Sequence, residues 1–444
     1  MSIQATHPKP SMLSFLGKGQ QRKVILSSYL GSTIEFYDLI LYATASAVVF
    51  GPVFFSTLDE RTATVASLAT FATAYLARPI GGIVFGHFGD RIGRKKMLMI
   101  SMAMMGIASF LIGLVPAIPI WGALMLVLLR VIQGIAIGGE WGGAALMSLE
   151  HADDHNRGLA ASFTNAGGPS GAFIGTSALA LAALLPEDDF MSWGWRIPFL
   201  ASLILLVIGL YIRAQVVESP VFAEAVALQE KKDEEKKKLE LPLVAVLRRP
   251  GTLVVTAISL IGAFAIQALF STFGVTFSVA NGVTQSQGLW AFAISQFFAA
   301  ITIPVAAAIS DKVGRKPVIL AGLVGMLLLA YPVFMLLGSG NWALVIVGFL
   351  LALPLCQSCT MGPLAAFLAE NFATTSRYTG ASLGYQVASL LGAGFTPVVA
   401  ASLFAAQNGS LSGVLIFLMG GCALSAIVLT LFARESRHRD LTTV

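Results

Sequence analysis

Residues 86–95 read Gly86-His87-Phe88-Gly89-Asp90-Arg91-Ile92-Gly93-Arg94-Lys95, and 221 positions later residues 307–316 read Ala307-Ala308-Ile309-Ser310-Asp311-Lys312-Val313-Gly314-Arg315-Lys316. Asp90, Gly93, Arg94 and Lys95 thus meet Asp311, Gly314, Arg315 and Lys316. A second set, Glu150, Arg157 and Ala161-Ser162, returns at an offset of 220 as Glu370, Arg377 and Ala381-Ser382. Two charged loops with the same internal spacing imply a duplicated chain whose halves form a parallel repeat.

Long apolar runs surround these loops. They fall at about 25–54, 63–88, 97–117, 120–149, 158–185, 195–213, 252–280, 287–310, 317–338, 342–369, 379–406 and 411–433. Each is about twenty residues or longer and continuous, which is the length of a membrane-crossing helix and unlike the short alternating strands of a β-barrel. The composition agrees, because 56% of the 444 residues are hydrophobic and only 11% charged, against about 25% charged in soluble domains. The expected fold class is an all-α membrane protein with twelve transmembrane helices in two six-helix bundles. The expected organisation is a tail 1–24, a bundle 25–213, a linker 214–250, a bundle 251–433 and a tail 434–444.

The net charge of +5 would suggest nucleic acid in a soluble chain, but here the basic residues sit between apolar runs and in tails, where they report topology. Of the 28 Lys and Arg, 24 lie in loops and tails of one side, Arg61 and Arg196 lie on the other, and Arg78 and Arg130 lie within spans. Both termini are therefore predicted to be cytoplasmic, in the inner membrane, with the first span uncleaved. The linker carries the mixed-charge run Glu230–Lys238, read as solvated chain. The three cysteines lie in apolar segments and cannot staple loops, and Cys356-Gln-Ser-Cys359 has neither a second pair nor a nearby histidine to make a metal site. No G-x-x-x-x-G-K-[ST] loop occurs, so energy is expected from a gradient rather than ATP, and no enzymatic activity or cofactor is expected beyond the proton as coupling ion.

Ionisable groups in spans are costly unless paired or hydrated, which singles out Glu35, Asp38, Arg78, Arg130 and Glu140, all in the first half. Counting residues from the estimated span ends places Asp38 and Arg130 both about 15 to 20 Å deep, where they can meet. A carboxylate whose protonation is set by burial and by a nearby arginine is the device that proton coupling requires. Asp38, or Glu35 in its place, would carry the proton, and Arg130 would alternate between that acid and an anionic substrate. The competing reading is a permanent ion pair that fixes helix register. Arg78 and Glu140 lie nearer the cytoplasmic end and could pair with each other or with Glu35. Tyr37, Gln133, Gln267, Tyr385 and Gln386, together with Arg130, are the candidates for substrate contact; the second half offers only neutral groups. Glycines at four-residue spacing (Gly134, Gly138 and Gly142; Gly167, Gly171 and Gly175; Gly380 and Gly384) mark close-packing faces.

Residues 86–95 match the form G-x-x-x-D-R-x-G-R-[RK], and by that loop the chain resembles the major facilitator superfamily. Glu35-Phe-Tyr-Asp38, Arg78-Pro-Ile-Gly-Gly82 and Arg130-Val-Ile-Gln-Gly with Gly138-Gly-Glu-Trp-Gly-Gly143 are similar to its metabolite:proton symporter branch, over nearly the whole chain. Ser192–Phe199 and Ser376–Gln386 are similar to shikimate-permease-like members, although Ala263-Phe-Ala-Ile-Gln-Ala268 lacks the charge such members tend to carry there; permeases for α-ketoglutarate, citrate, or proline and betaine share much of the pattern. The resemblance implies import of an organic acid or zwitterion with protons by alternating access, in a monomer. It also implies that the loop, through Asp90, Arg91 and Arg94, latches the cytoplasmic ends of the halves. Chemically, Asp90 can accept from arginine or helix-end N–H groups, Gly93 allows a tight turn, and Arg94 can bond C-terminal carbonyls. Asp311, Arg315, Glu150, Arg157, Glu370 and Arg377 belong to the same repeated latch. Rival readings are a proton-coupled efflux antiporter, suggested by Gly167-Gly-Pro-Ser-Gly171, and a non-transporting membrane sensor, against which the two latch loops and the lack of an appended soluble domain weigh.

Overall fold

A computed structural model describes residues 20–92, 94–138, 157–215, 246, 248, 250–372 and 377–437. The described chain is helical almost throughout, and each of the twelve apolar segments falls on a helix. In the first half these are α1 (Gln20–Val48), α2 (Glu60–Ile92), α3 (Arg94–Leu114), α4 (Trp121–Gly138), α5 (Arg157–Ala182) and α6 (Arg196–Gln215). In the second half they are α7 (Pro250–Ala280), α8 (Gln285–Val313), α9 (Arg315–Leu337), α10 (Trp342–Glu370), α11 (377–406) and α12 (Ser412–Leu431). Seven of these, α4 and α7 to α12, are long and apolar enough to cross a membrane, and an eighth follows if the pair Glu187–Gly194 and Arg196–Ile212, bent by 41°, is one span. Large apolar side chains such as Leu128, Ile204, Leu328 and Ile416 point outward and exposed, as lipid-facing residues must when no water competes for them.

Backbone contact at small residues holds the helices together. A Cβ added at Gly171 of α5 would lie 2.1 Å from the Thr33 carbonyl oxygen of α1, and one added at Gly138 of α4 would lie 2.1 Å from the Arg78 carbonyl oxygen of α2. The expected glycine faces of α4 and α5 are thus real helix contacts, which matters because lipid provides no hydrophobic drive for helix association and close van der Waals approach must supply it. Gly142 lies outside the described residues. Pro169 sits inside an uninterrupted α5, whereas Pro397 begins the last stretch of α11 immediately beyond a π-helical turn, Leu390–Gly394, so of these two prolines only the second accompanies a break. Two further π-helical turns interrupt the second half, Phe270–Gly274 in α7 and Leu351–Gln357 in α10. Such widened turns leave the i→i−4 ladder locally unmade and tend to mark functional positions. Cys356, Cys359 and Cys422 are free thiols packed in the second half.

Helices α1 and α5 run side by side from the same end, and α2 returns toward that end; Asp38, Phe71 and Arg130 lie well inside their helices. Arg78 lies about two helical turns closer to the end where the halves are latched.

Candidate functional site

Asp38 and Arg130 are both buried, 2% and 0% exposed, and face protein rather than lipid. They interact electrostatically but form no direct ion pair; two neutral side chains join them. Arg130 Nη1 donates to Gln133 Oε1 at 3.0 Å, Gln133 Nε2 donates to Ser109 Oγ at 2.6 Å, and Ser109 hydrogen-bonds the Asp38 carboxyl. Every donor in this relay points from the arginine toward the acid, so each bond polarises the next. Oδ1 of Asp38 and Nε and Nη2 of Arg130 have no hydrogen-bond partner among the described residues. The direct pair expected from the sequence is therefore replaced by a bridged one, in which each charged group keeps free capacity. Gln133, expected at the substrate, is a member of the bridge.

Arg130 rests on aromatic rings, its guanidinium carbon 4.1 Å from the Tyr42 centroid and 5.1 Å from that of Phe71. Phe71 meets Tyr75 edge-on at 5.2 Å, and Arg78 stacks on Tyr75 at 3.9 Å. Arg78 is 3% exposed, its Nε lacks a partner, and it makes no ion pair among the described residues. A desolvated cation–π contact contributes about 2 kcal/mol, less than the several kcal/mol that burying a charge costs. The ring alone does not balance this cation. Of its expected partners, Glu140 lies outside the described residues. Glu35, 5% exposed, and Arg78 both act electrostatically on Tyr385 of α11, which brings these groups from the two halves to one level.

The remaining expected substrate contacts divide. Tyr37 turns toward α6 and donates its hydroxyl to the Pro198 carbonyl at 2.7 Å, so it is engaged in packing between α1 and α6. Gln386 crosses between halves to donate to the Gly138 carbonyl at 3.3 Å, with its Oε1 unpartnered. Tyr385 packs edge-on against Phe264 at 5.0 Å, and Gln267 is half-buried.

At the latch end the second-half motif is assembled. Asp311 accepts from the backbone N–H of Gly158 at 3.1 Å and of Leu159 at 2.9 Å, the first turn of α5 in the other half. This is a carboxylate at a helix N-terminus, where the unpaired N–H groups and the helix dipole favour negative charge. Arg315 pairs with Asp311 at 2.5 Å and with Glu370 at 3.1 Å. Gly314 connects α8 to α9 at φ 109°, a conformation that favours glycine. Asp90, Arg91, Arg94 and Gly93 have no described side chains, Glu150 lies outside the described residues, and the side chains of Arg157 and Arg377 are not described.

Three residues of the latch escaped the sequence reading. Glu435 accepts from the N–H of Arg315 at 2.9 Å and of Lys316 at 3.0 Å, Ser436 donates to Glu370 at 2.6 Å, and Arg437 donates to the Lys312 carbonyl. Burial opposes the Glu435 carboxylate, but backbone donors from Arg315, Arg437, Lys316 and Ser436 outweigh it and hold its pKa below the ordinary value. The available signal was a third repeat: Glu218-Ser219 recurs 217 positions later as Glu435-Ser436. Ser109 carried no signal of its own in the sequence. The halves also touch at the opposite end, where Thr276 donates to the Ala47 carbonyl at 3.1 Å and Ser286 to the Ala180 carbonyl at 3.2 Å.

Two family models cover this architecture, "Sugar (and other) transporter" over residues 24–244 and "Major Facilitator Superfamily" over 255–443. The inner membrane metabolite transport protein YhjE of Escherichia coli (strain K12) is 40% identical over 95% of this chain and 96% of its own length. The chain belongs to the major facilitator superfamily. It is thus a multi-pass membrane transporter and not an enzyme. Further similar proteins are the shikimate transporter of Escherichia coli (strain K12), 35% identical over 98% of this chain and 99% of its own, and the proline/betaine transporter of the same organism, 33% identical over 88% and 79%. Among solved structures, the xylose transporter XylE of E. coli in a partially occluded inward-open conformation superposes with a TM-score of 0.74 over 96% of this chain and 100% of that one; at 20% identity the likeness is one of fold.

Proposed function

We propose that this facilitator imports a small organic acid or zwitterion together with protons, by alternating access across the inner membrane, through twelve spans with both termini cytoplasmic. The observation that carries the reading is the bridged pair. Asp38 is an acid buried in a membrane-spanning helix, with one oxygen that no described residue occupies and a polarised link to Arg130, itself buried with unpartnered donors. A proton taken up at Asp38 removes the negative end of the relay and frees Arg130 to hold a substrate carboxylate; release of either reverses the bias on the other. The proton and the substrate are thereby coupled through two neutral residues, without direct competition for one position. Relatives named for shikimate and for proline and betaine support a small carboxylate-bearing substrate.

The test is uptake of labelled shikimate, citrate, α-ketoglutarate and glycine betaine into proteoliposomes under an imposed pH gradient. Accumulation of at least one with an inward gradient is expected in the wild type. Asp38→Asn should lose gradient-driven accumulation by about 100-fold or more, as for a group that acts in the coupling step itself, and retain exchange of substrate across the membrane. Accumulation in Asp38→Asn that still followed the gradient would reject Asp38 as the proton carrier.

A further inference from the structure

The bridge between Asp38 and Arg130 works only while Ser109 stays within reach of the Asp38 carboxyl, and the two stand on different helices, α3 and α1. Helix α6 lies against both. A Cβ at Gly209 of α6 would lie 2.7 Å from Met102 Sδ of α3 and 2.8 Å from Ile34 Cδ1 of α1, and a Cβ at Gly113 of α3 would lie 3.1 Å from Phe199 Cβ of α6. Apolar contact of this kind brings helices together in lipid, whereas directional bonds between them fix which residues face each other. Those bonds sit in the first turn of α6. Arg196 Nη1 donates to the Gly113 carbonyl at 3.0 Å and to the Val115 carbonyl at 2.5 Å, at the end of α3, where carbonyls lack a partner further along the helix and favour a cation. Two residues on, the Pro198 carbonyl accepts the Tyr37 hydroxyl at 2.7 Å. Gly113 is four residues, one helical turn, from Ser109, and Tyr37 directly precedes Asp38. The turn itself is anchored by Trp195, fully buried, which meets Phe50 and Phe54 edge-on at 5.7 and 5.8 Å and carries the Arg196 guanidinium carbon 4.5 Å from its ring centroid.

We infer that Arg196 and Tyr37 are positioning residues for proton coupling: from the first turn of α6, one holds α3 and the other α1, so that Ser109 meets the Asp38 carboxyl. The inference rests on the reading of Asp38 as the proton carrier. Neither residue reaches the relay itself. Arg196 acts along one turn of α3 and Tyr37 along one peptide of α1, and both are referred to the same short stretch of backbone, which sets the spacing of the two helices at that level. Ser109 forms one link of a chain in which each hydrogen bond polarises the next, so a small rotation of α3 breaks the whole connection between acid and arginine. The clamp lies at the end of the first bundle opposite the latch. Opening and closing of the latch can therefore proceed while the acid keeps its link to Arg130.

The experiment separates coupling from passage. Labelled shikimate, citrate, α-ketoglutarate and glycine betaine are offered to proteoliposomes, and accumulation under a pH gradient is compared with exchange in its absence for wild type, Arg196→Gln, Arg196→Lys, Tyr37→Phe, Ser109→Ala and Arg196→Gln/Ser109→Ala. Arg196→Gln should lose about tenfold of gradient-driven accumulation and keep exchange within about threefold, the pattern of a group that serves one step only. Arg196→Lys, which keeps a cationic donor, should recover part of the accumulation and elute as a monodisperse species like wild type. Tyr37→Phe, which removes a single hydroxyl, should show the same split at smaller size. Added to Ser109→Ala, Arg196→Gln should cost less than about twofold more, because both changes break one connection. Spin labels at the lipid-facing positions Ile107 of α3 and Ile204 of α6 should show a displaced or broadened distance distribution in Arg196→Gln and a wild-type one in Arg196→Lys. Equal loss of exchange and accumulation in a folded Arg196→Gln or Tyr37→Phe, no recovery in Arg196→Lys, a full further loss in the Ser109→Ala background, or an unchanged label distribution would each overturn the proposal. Accumulation in Asp38→Asn that still followed the gradient would defeat the proton reading and with it the coupling role, while the labels would still report whether Arg196 holds α3.

Discussion

The two halves carry the same charged loop but differ in what their helices hold. Among the described residues the first half holds four buried ionisable groups within its spans, Glu35, Asp38, Arg78 and Arg130, on helices whose backbones are continuous where those groups sit. The second half brings neutral side chains to the facing surface and breaks three of its helices with π-helical turns, in α7, α10 and α11. Charges in a membrane must be held at fixed geometry to remain tolerable, whereas a helix that has given up part of its hydrogen-bond ladder can flex. The contrast assigns chemistry to one bundle and compliance to the other, joined at the latch by Asp311 on α5.

The junction is where the comparison is most easily broken. A Cβ at Gly158 would lie 2.4 Å from Arg315 Nη1 and 2.6 Å from Asp311 Oδ1. Gly158→Leu should therefore eject Asp311 from the α5 N-terminus. Hydrogen bonds to a charged group contribute about 1.5–3 kcal/mol each, so loss of the two should shift the balance between open and closed states at this end by about tenfold or more. Distances between spin labels on α5 and α8, placed at positions other than 158 and 311, should report the opening, and net uptake should fall with it; unchanged distances would show that the capping aspartate does not hold the halves.

A smaller effect is expected inside the flexible bundle. Gly392 lies in the π-helical turn of α11, where a Cβ would sit 2.4 Å from the Ile261 carbonyl oxygen of α7. Gly392→Val should cost about 1–3 kcal/mol, the usual range for overpacking, lowering the apparent Tm in detergent by several degrees and slowing uptake while leaving substrate binding near wild type. If binding fell as far as uptake, the second half would be shaping the ligand site itself and the division between the bundles would be too sharp.

The smallest effect concerns acid. Glu435 has a folded-state pKa below its ordinary value of 4.5. Its contribution to stability is therefore complete at pH values above 4.5 and disappears as pH falls through the lower folded-state value. Glu435→Gln should remove that part of the acid sensitivity, and thermal melts of the two proteins should converge at low pH. Curves that stayed parallel through that range would show that the cap does not titrate with folding.

Asp311, Arg315 and Glu370 were legible because the repeat is written in charge, and the structure brings these three together beside the first turn of α5. The burial of Asp38 and Arg130 was legible because a charge exposed to lipid is costly. Their connection did not follow, because Ser109 and Gln133 are ordinary neutral residues whose role depends on how α3 and α4 are rotated, and apolar periodicity is faint in helices surrounded by lipid and protein alike. Tyr37 shows the converse: beside Asp38 in sequence, it points toward Pro198 because neighbouring helical residues face about 100° apart. The π-helical turns carry no reliable mark, since proline lies within the one in α10 but is absent from those in α7 and α11.

Glu435 has one consequence for how the protein is made. Residues 433–437 are synthesised after all twelve helical segments, yet they cap α9 and tie down Glu370. A nascent chain still short of them would present α9 with its first amides bare and Glu370 without the Ser436 hydroxyl. Capping of α9 thus awaits synthesis of residues 435 and 436, and a ribosome stalled before them would leave a second bundle inserted but unsealed.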